Sequence, residues 1–297
     1  MELLKNCPIC KGTTFSPWFS GTDYVVSRET FSIVSCETCG FKFTNPRPVE
    51  KEIGKYYESE NYIYHSNKKK GLFLQVYHLV RNYAINKKVK LINSLTNSDN
   101  ERYILDYGCG TGEFLNACKK NGWKTKGIEV SPIARKYGSD YFKLDIEDLP
   151  AISKIKDRSI DIITLWHVLE HVHRLKETIL ELRRILKPEG RILIAVPNCS
   201  SEDASYYGKY WAAYDLPRHL SHFTPEDIQN LFSSHDMKVE KMLPLFFDAF
   251  YVSMLSEKYK SGSMNYISGL FHGLKSNLKA MNNKSRFSSL IYVCKNK

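Results

Sequence analysis

A chain of 297 residues, 42% of them hydrophobic, has room for one large domain and a smaller one and can supply a full core, so a soluble globular protein is expected. No run of eighteen apolar residues exists to cross a bilayer, and the opening "MELLKNCPIC" lacks the basic-then-apolar pattern of a secretory signal, which makes the cytosol the expected location. A formal net charge of +11 admits nucleic acid, a membrane surface or a phosphorylated substrate as partner, without choosing among them.

Four of the eight cysteines stand at the front in two close pairs, Cys7-Pro-Ile-Cys10 and Cys36-Glu-Thr-Cys39, and the other four are scattered. That split points to metal ligands and not to a disulfide framework. Two such knuckles, twenty-five residues apart, complete the tetrahedral sulfur shell that zinc favours. Gly40 and the Lys11-Gly12 step help the backbone turn round the metal. The residues between the pairs are β-branched and aromatic with turn signals, as in short antiparallel strands. Residues 1–45 are therefore expected to form a zinc ribbon whose Cys7, Cys10, Cys36 and Cys39 hold a structural zinc ion.

Residues 46–98 leave the ribbon through two prolines and become a basic helical connector with no acidic residue from Asn61 to Ser98. Leu72, Val76, Leu79, Val80, Tyr83, Val89, Ile92 and Leu95 recur at helical spacing, and Lys68, Lys69, Lys70, Arg81, Lys87, Lys88 and Lys90 supply the charge. The pattern suits a helical arm packed on the main domain. It also suits peripheral contact with an anionic membrane, at the inner face, or with a lipid-linked substrate.

From Arg102 strands alternate with helices. "RYILDYG", "KTKGIEV", "SIDIITLWH" and "GRILIAVPN" read as buried strands; "GEFLNACKKNG", "SPIARKYGS" and "LKETILELRRILKPEG" read as helices. This repetition predicts an α/β fold with a mainly parallel sheet and a ligand beyond the carboxyl ends of its strands. The first strand runs into Asp106-Tyr107-Gly108-Cys109-Gly110-Thr111-Gly112. Its third glycine comes one place early for a dinucleotide fingerprint, and no lysine follows as a P-loop requires.

"ILDYGCGTGEFL" resembles the first motif of class I S-adenosylmethionine-dependent methyltransferases, and later segments match further motifs of that family in order, over residues 100–243 and the last strand. The resemblance implies a Rossmann-like seven-stranded methyltransferase sheet with S-adenosyl-L-methionine as cofactor. It implies cofactor contacts at Asp106, Gly108, Cys109, Gly110 and Gly112. Glu129 would bind the ribose hydroxyls, Asp145 and Ile146 the adenine, and Leu165 would end the fourth strand beside the cofactor. Asp161 matches the fourth motif. The ubiquinone-biosynthesis O-methyltransferases belong to the same broad group; they carry Glu-x-x-Glu-His where this chain has His167-Val-Leu-Glu170-His171. With His167 in place of the first acid, no second metal is expected. The same five residues match the inverted zinc-protease signature, but that signature sits inside a helix and this one follows a buried strand.

Methyl transfer needs a nucleophile held in line, and a hydroxyl needs a base. His167, His219 and His222 are the candidates. "KVEKMLPL" and "SSLIYVCKN" read as the sixth and seventh strands, so the core is 99–245 with 289–297, and the aromatic, basic insert 246–288 is a candidate substrate lid. The expected function is methyl transfer to an oxygen or carbon of a small-molecule, glycan or lipid-linked acceptor. The rival is an RNA-modifying methyltransferase using connector and ribbon; the absence of an Asn-Pro-Pro-Tyr-type motif speaks against nucleic acid.

Overall fold

The computed structural model describes residues 1–58, 72–96 and 101–297, and the side chains of 72–78 are outside the description. Lys68, Lys69 and Lys70 of the basic connector therefore lie outside the described residues. The front of the chain forms three antiparallel strands, β1 (Phe15–Thr22), β2 (Thr30–Cys36) and β3 (Lys42–Thr44). The helix α1 (Leu72–Asn93) follows. The alternating part supplies β4 (Arg102–Tyr107), α2 (Glu113–Lys120), β5 (Trp123–Ile128), α3 (Pro132–Phe142), β6 (Ile146–Glu147), β7 (Ile160–Trp166), α4 (Leu175–Ile185) and β8 (Leu186–Pro197). The remainder supplies α5 (Glu202–Tyr207), β9 (Ser221–His222), α6 (Pro225–Ser233), β10 (Met237–Pro244), α7 (Asp248–Ser261), α8 (Tyr266–Ala280) and β11 (Ser289–Asn296).

The large sheet has seven strands in the order β10-β11-β8-β7-β4-β5-β6. Its pairs from β8 through β6 are parallel, while β11 runs antiparallel to β8 and β10. This is the expected α/β sheet, with "KVEKMLPL" and "SSLIYVCKN" in β10 and β11. The apolar strands bury both faces. On one side Ile104, Ile162, Leu193 and Ala195 pack with Val89 and Ile92 of α1 and Phe114, Leu115 and Cys118 of α2. On the other, Leu105, Ile163, Leu165 and Ile194 pack with Leu175, Ile179 and Leu182 of α4 and Ile228, Leu231 and Phe232 of α6.

Local chemistry sets the helix starts. Ser131 caps α3 by accepting from Ala134 N–H, with Pro132 at the first helical position. Thr224 and Asp227 form a reciprocal capping box on α6. In α1, Leu79 and Tyr83, expected on the packed stripe, are exposed, and the packing is carried by Val89 and Ile92 in the C-terminal half.

The front strands do not end at residue 45. β3 pairs antiparallel with β9, making a second sheet β1-β2-β3-β9, and Phe41 stacks near Phe223 with ring centroids 5.6 Å apart. Cys7, Cys36, Phe41 and Phe43 share one apolar cluster with Leu105 and Ile163 of the large sheet.

Candidate functional site

The turn after β4 is fixed by three glycines with positive φ: Gly108 at 76°, Gly110 at 55° and Gly112 at 85°. They are not equivalent. A β-carbon on Gly108 would come within 2.5 Å of Val168, and one on Gly112 within 2.6 Å of Leu144, so both are needed for packing as well as for their dihedrals. A β-carbon on Gly110 would meet nothing within 4 Å. The space in front of Gly110 is where a ligand can approach the backbone. Cys109 is buried, with its sulfur against Gly127.

Glu129, at the end of β5, ties this turn to the next helix. Its Oε2 accepts from Gly110 N–H and its Oε1 from Ser131 N–H, both at 2.8 Å. Each oxygen keeps a further lone pair for hydroxyl donors. Val130, the following residue, is an aliphatic side chain 71% exposed beside that acid. Asp145 is exposed and paired with Lys126 Nζ at 3.0 Å; Glu147 holds the same lysine.

Ile146 and Leu165 correct the sequence reading. Ile146 turns its side chain into the layer under Gly112, Gly127 and Gly138, and Leu165 is wholly buried in the core between the sheet and α4. Strand alternation puts Trp166, not Leu165, on the ligand side. Asp161 lies at the opposite end of β7, where it accepts from Tyr103 N–H and Lys187 Nζ, each at 2.8 Å. It braces the sheet far from the turn.

Asp106 is 3% exposed and accepts from Thr164 Oγ1 at 2.6 Å. Burial pushes its carboxyl up to about 7, against the pull of Thr164 and of Lys88. Lys88, from α1, stands 4.0 Å over the Trp166 ring, and burial pushes its pKa down while Asp106 and Asp248 act against that. Trp166 Nε1 is buried with no hydrogen-bond partner among the described residues. A carboxylate, an ammonium and a free N–H thus converge beside the glycine turn, a set complementary to the ammonium and carboxylate of an amino-acid moiety. These donors and the clearance at Gly110 fit S-adenosyl-L-methionine.

His167 follows β7 with φ 56°, a left-handed conformation. Its Nε2 lies 3.0 Å from Asp248 Oδ2 and its Nδ1 3.4 Å from Glu170 Oε1. Burial alone would depress this imidazole, but Asp248 and Glu170 outweigh it and raise the pKa to about 10. Solvent reaches 38% of the side chain and screens part of the attraction, yet the direction is upward from both sides. The two carboxylates thus hold the ring toward its charged form.

Glu170 is 1% exposed, and beyond the ion pair of Oε1 with His167 neither carboxylate oxygen has a hydrogen-bond partner among the described residues. Its ligand atom lies within 4.8 Å of those of His171 and His219. His171 Nδ1 meets the Arg218 carbonyl at 3.0 Å and Tyr57 Oη at 2.9 Å; His219 Nδ1 meets the Ala213 carbonyl at 2.8 Å. A carbonyl only accepts, so each Nδ1 carries a proton. Burial holds the His171 pKa down at about 4, which keeps that ring neutral. His222 is different: it is buried in the ribbon ladder, meets Thr44 Oγ1 at 3.1 Å, and burial depresses its pKa strongly. It is a structural residue and leaves the list of candidate catalytic groups.

The four front cysteines converge, with Cys7 and Cys39 sulfurs 3.7 Å apart and Cys10 and Cys36 sulfurs 3.5 Å apart. Zinc–sulfur bonds of about 2.3 Å put tetrahedral sulfurs about 3.8 Å from one another, so the set fits a zinc ion. Lys11, at φ 66°, and Gly40, at φ 75°, make the two knuckle turns. Gly12 serves closeness instead, since a β-carbon there would lie 2.5 Å from Thr38 Oγ1.

Lys88, Trp166 and Asp248 are the site residues that sequence reasoning missed. Lys88 precedes Val89 and stands one turn from Ile92, so its place on the packed face was readable; Asp248 is one of two acids in the whole insert.

A family model described as a methyltransferase domain matches residues 78–241, more than half of the chain. The ubiquinone biosynthesis O-methyltransferase of Rickettsia prowazekii (strain Madrid E) is 24% identical over 216 residues, covering 67% of this chain and 82% of that protein. The malonyl-[acyl-carrier protein] O-methyltransferase of Serratia marcescens is 29% identical over 128 residues, covering 41% and 48%. The solved structure of geranyl diphosphate C-methyltransferase from Streptomyces coelicolor A3(2) shares the fold, with a TM-score of 0.58 at 11% identity over 85% of this chain and all of that one. With the glycine turn, its two acids and the strand order already in place, the chain belongs to the methyltransferase-domain family and is an S-adenosylmethionine-dependent methyltransferase.

Proposed function

We propose that this methyltransferase acts on an oxygen or carbon nucleophile of a small molecule with an apolar ring or chain, free, glycan-borne or lipid-linked. The observation that carries this reading is the rim beside His167. Phe247, next in sequence to Asp248, meets Tyr83 of α1 edge-on at 5.8 Å, and Leu79, Phe246 and Tyr251 are exposed in the same two elements or the turn before α7. Exposed aromatic side chains beside the charged His167–Asp248 pair suit an acceptor that is apolar in body and polar at one atom.

S-adenosylmethionine, when bound, supplies a methyl group made electrophilic by a sulfonium. Glu129 and the Gly110 backbone would hold its ribose side, Val130 and Asp145 its base, and Asp106 with Lys88 its amino-acid end. His167, held through both ring nitrogens by Asp248 and Glu170, shapes the acceptor side of the site. His219, whose Nδ1 is held by the Ala213 carbonyl, is the proposed base. His219→Asn then lowers turnover by about 10²–10⁴-fold and leaves cofactor binding intact; unchanged turnover would remove His219 from the mechanism. The function itself is tested by calorimetric cofactor binding and by offering phenolic, prenyl and glycan acceptors, with mass detection of the methylated product. Failure to bind the cofactor would sink the reading.

A structural zinc ion at Cys7, Cys10, Cys36 and Cys39 is part of this proposal. A second reading concerns Glu170, His171 and His219, whose ligand atoms lie within 4.8 Å of one another and form a donor set for a divalent cation. Metal analysis of native protein and of Glu170→Gln separates the cases: a second equivalent lost only in the variant supports the cation, and equal content supports the base network. The rival RNA acceptor is disfavoured by the apolar rim. RNA that co-purifies and is released at high salt would favour it.

A further inference from the structure

Helix α8 is built inside out. Its small residues Gly269, Gly273, Ser276 and Ala280 are buried, and a β-carbon on Gly269 or Gly273 would stand 2.7 Å from the Met254 backbone or 2.8 Å from that of Phe250. The helix is thus pressed onto α7 through its glycines. Its large apolar side chains, Ile267, Leu270, Phe271, Leu274 and Leu278, face solvent and continue to Met281 just past its end; Ile267 is 83% and Phe271 60% exposed. Their spacing of three and four residues makes one continuous stripe along the helix.

Apolar stripes of this extent mark a contact surface. The charge around it selects the partner. Lys275 and Lys279 flank the stripe, and residues 258–297 contain no acid at all. A second copy packed on the same face would bring basic helix against basic helix, and the carboxylate at hand, Glu202 of α5, is already shared by Lys279 at 3.5 Å and Arg286 at 3.0 Å. A bilayer rich in anionic lipid answers both features, with acyl chains for the stripe and headgroups for the lysines.

We propose that α8 is a peripheral docking helix that lies in the surface of an anionic membrane, apolar stripe inward. Membrane contact is one of the readings the connector's sequence admits; this surface is a different element, and it stands whichever atom the enzyme methylates.

The test is co-sedimentation of the full chain with phosphatidylcholine vesicles, with and without phosphatidylglycerol. Binding is expected only to the anionic vesicles and is expected to weaken as salt rises. Leu270→Gln with Phe271→Gln lowers the partition coefficient at least about tenfold. Lys275→Glu with Lys279→Gln lowers it by about tenfold as well. All four positions are exposed and away from the cofactor turn, so calorimetric cofactor binding stays at the level of the unsubstituted chain and reports that each variant is folded. A chain that stays in the supernatant with anionic vesicles overturns the proposal. So does a folded Leu270/Phe271 variant that binds as well as the parent. A dimer in sedimentation velocity that this variant converts to monomer, with no vesicle binding by the parent, would overturn it too and give the stripe to a second copy.

Discussion

His167 holds a left-handed backbone conformation that costs a residue with a β-carbon about 1 kcal/mol, and that twist leaves its ring between Asp248 and Glu170. Replacing Asp248 with Asn removes the closer carboxylate, so the imidazole pKa falls from about 10 toward the ordinary value near 6.5. A pKa raised by folding stabilises the native state fully below the unfolded value, and the contribution is lost as pH rises through the folded one. Asp248→Asn is therefore less stable than the parent at neutral pH, with the gap closing above about pH 10. NMR titration of the His167 ring checks this, and an unmoved titration would show that Asp248 does not hold the charge. The glycine turn gives a second contrast. Gly112→Ala, with φ 85° and a β-carbon 2.6 Å from Leu144, destabilises the fold by about 1–3 kcal/mol; Gly110→Ala meets only solvent and costs less, but weakens cofactor binding more. Calorimetry paired with denaturant unfolding reads both, and a Gly110→Ala that binds normally would mean the cofactor does not approach that backbone. The sequence exposes these glycines and Glu129 because they are local to one strand end. It conceals Asp248 because an ion pair across eighty residues leaves no periodic trace, and it misassigns Leu165 because a strand's alternation must be phased before its faces are known.

The ribbon and the segment that carries His219 are one construction. Thr44 of β3 donates to the His219 carbonyl at 2.8 Å, and Arg218, with no exposed side-chain surface, pairs with Asp215 at 2.7 Å and with Asp23 of the ribbon at 3.1 Å. Its guanidinium also donates to the Tyr56 carbonyl at 2.8 Å. Asp23 in turn accepts from three backbone N–H groups of its own turn, Val25, Val26 and Ser27. Arg218→Met leaves the buried Asp23 and the half-buried Asp215 without their cation, which costs about 3–5 kcal/mol. Urea unfolding is the measurement, and a loss under about 1 kcal/mol would mean that water replaces the guanidinium at little cost. Strands and helices were legible here wherever an apolar run ended in glycine or a cap, as in β4, β5 and α6. The β3–β9 ladder was not, since β9 is only Ser221–His222 and two residues carry no alternation to read. The histidines near that ladder look alike in sequence, and only the pairing separates His219, which lies beside Glu170 and His171, from His222, which meets Thr44 of β3.

The shared cluster that joins Cys7, Cys36, Phe41 and Phe43 to Leu105, Ile163 and Ile194 has a consequence for how the chain unfolds. A ribbon with its own core would melt alone when its metal is removed, and the sheet would persist. Here the ribbon residues fill the same apolar layer as α4 and α6, so losing them uncovers Phe223 and the sheet beneath. Metal that binds only the folded chain stabilises whatever unfolds with it. Chelation is therefore expected to lower the melting temperature of the entire protein in one transition, with the fluorescence of Trp18 in the ribbon and Trp123 in the large sheet moving together in single-tryptophan variants. The His219 segment hangs on the same ladder, so methyl transfer falls with the metal while the glycine turn, on the far side of the sheet from α4, still binds cofactor in the fraction that remains folded. Two separated transitions, with Trp18 leaving first and turnover unchanged, would make the ribbon an independent module and would detach it from the acceptor site.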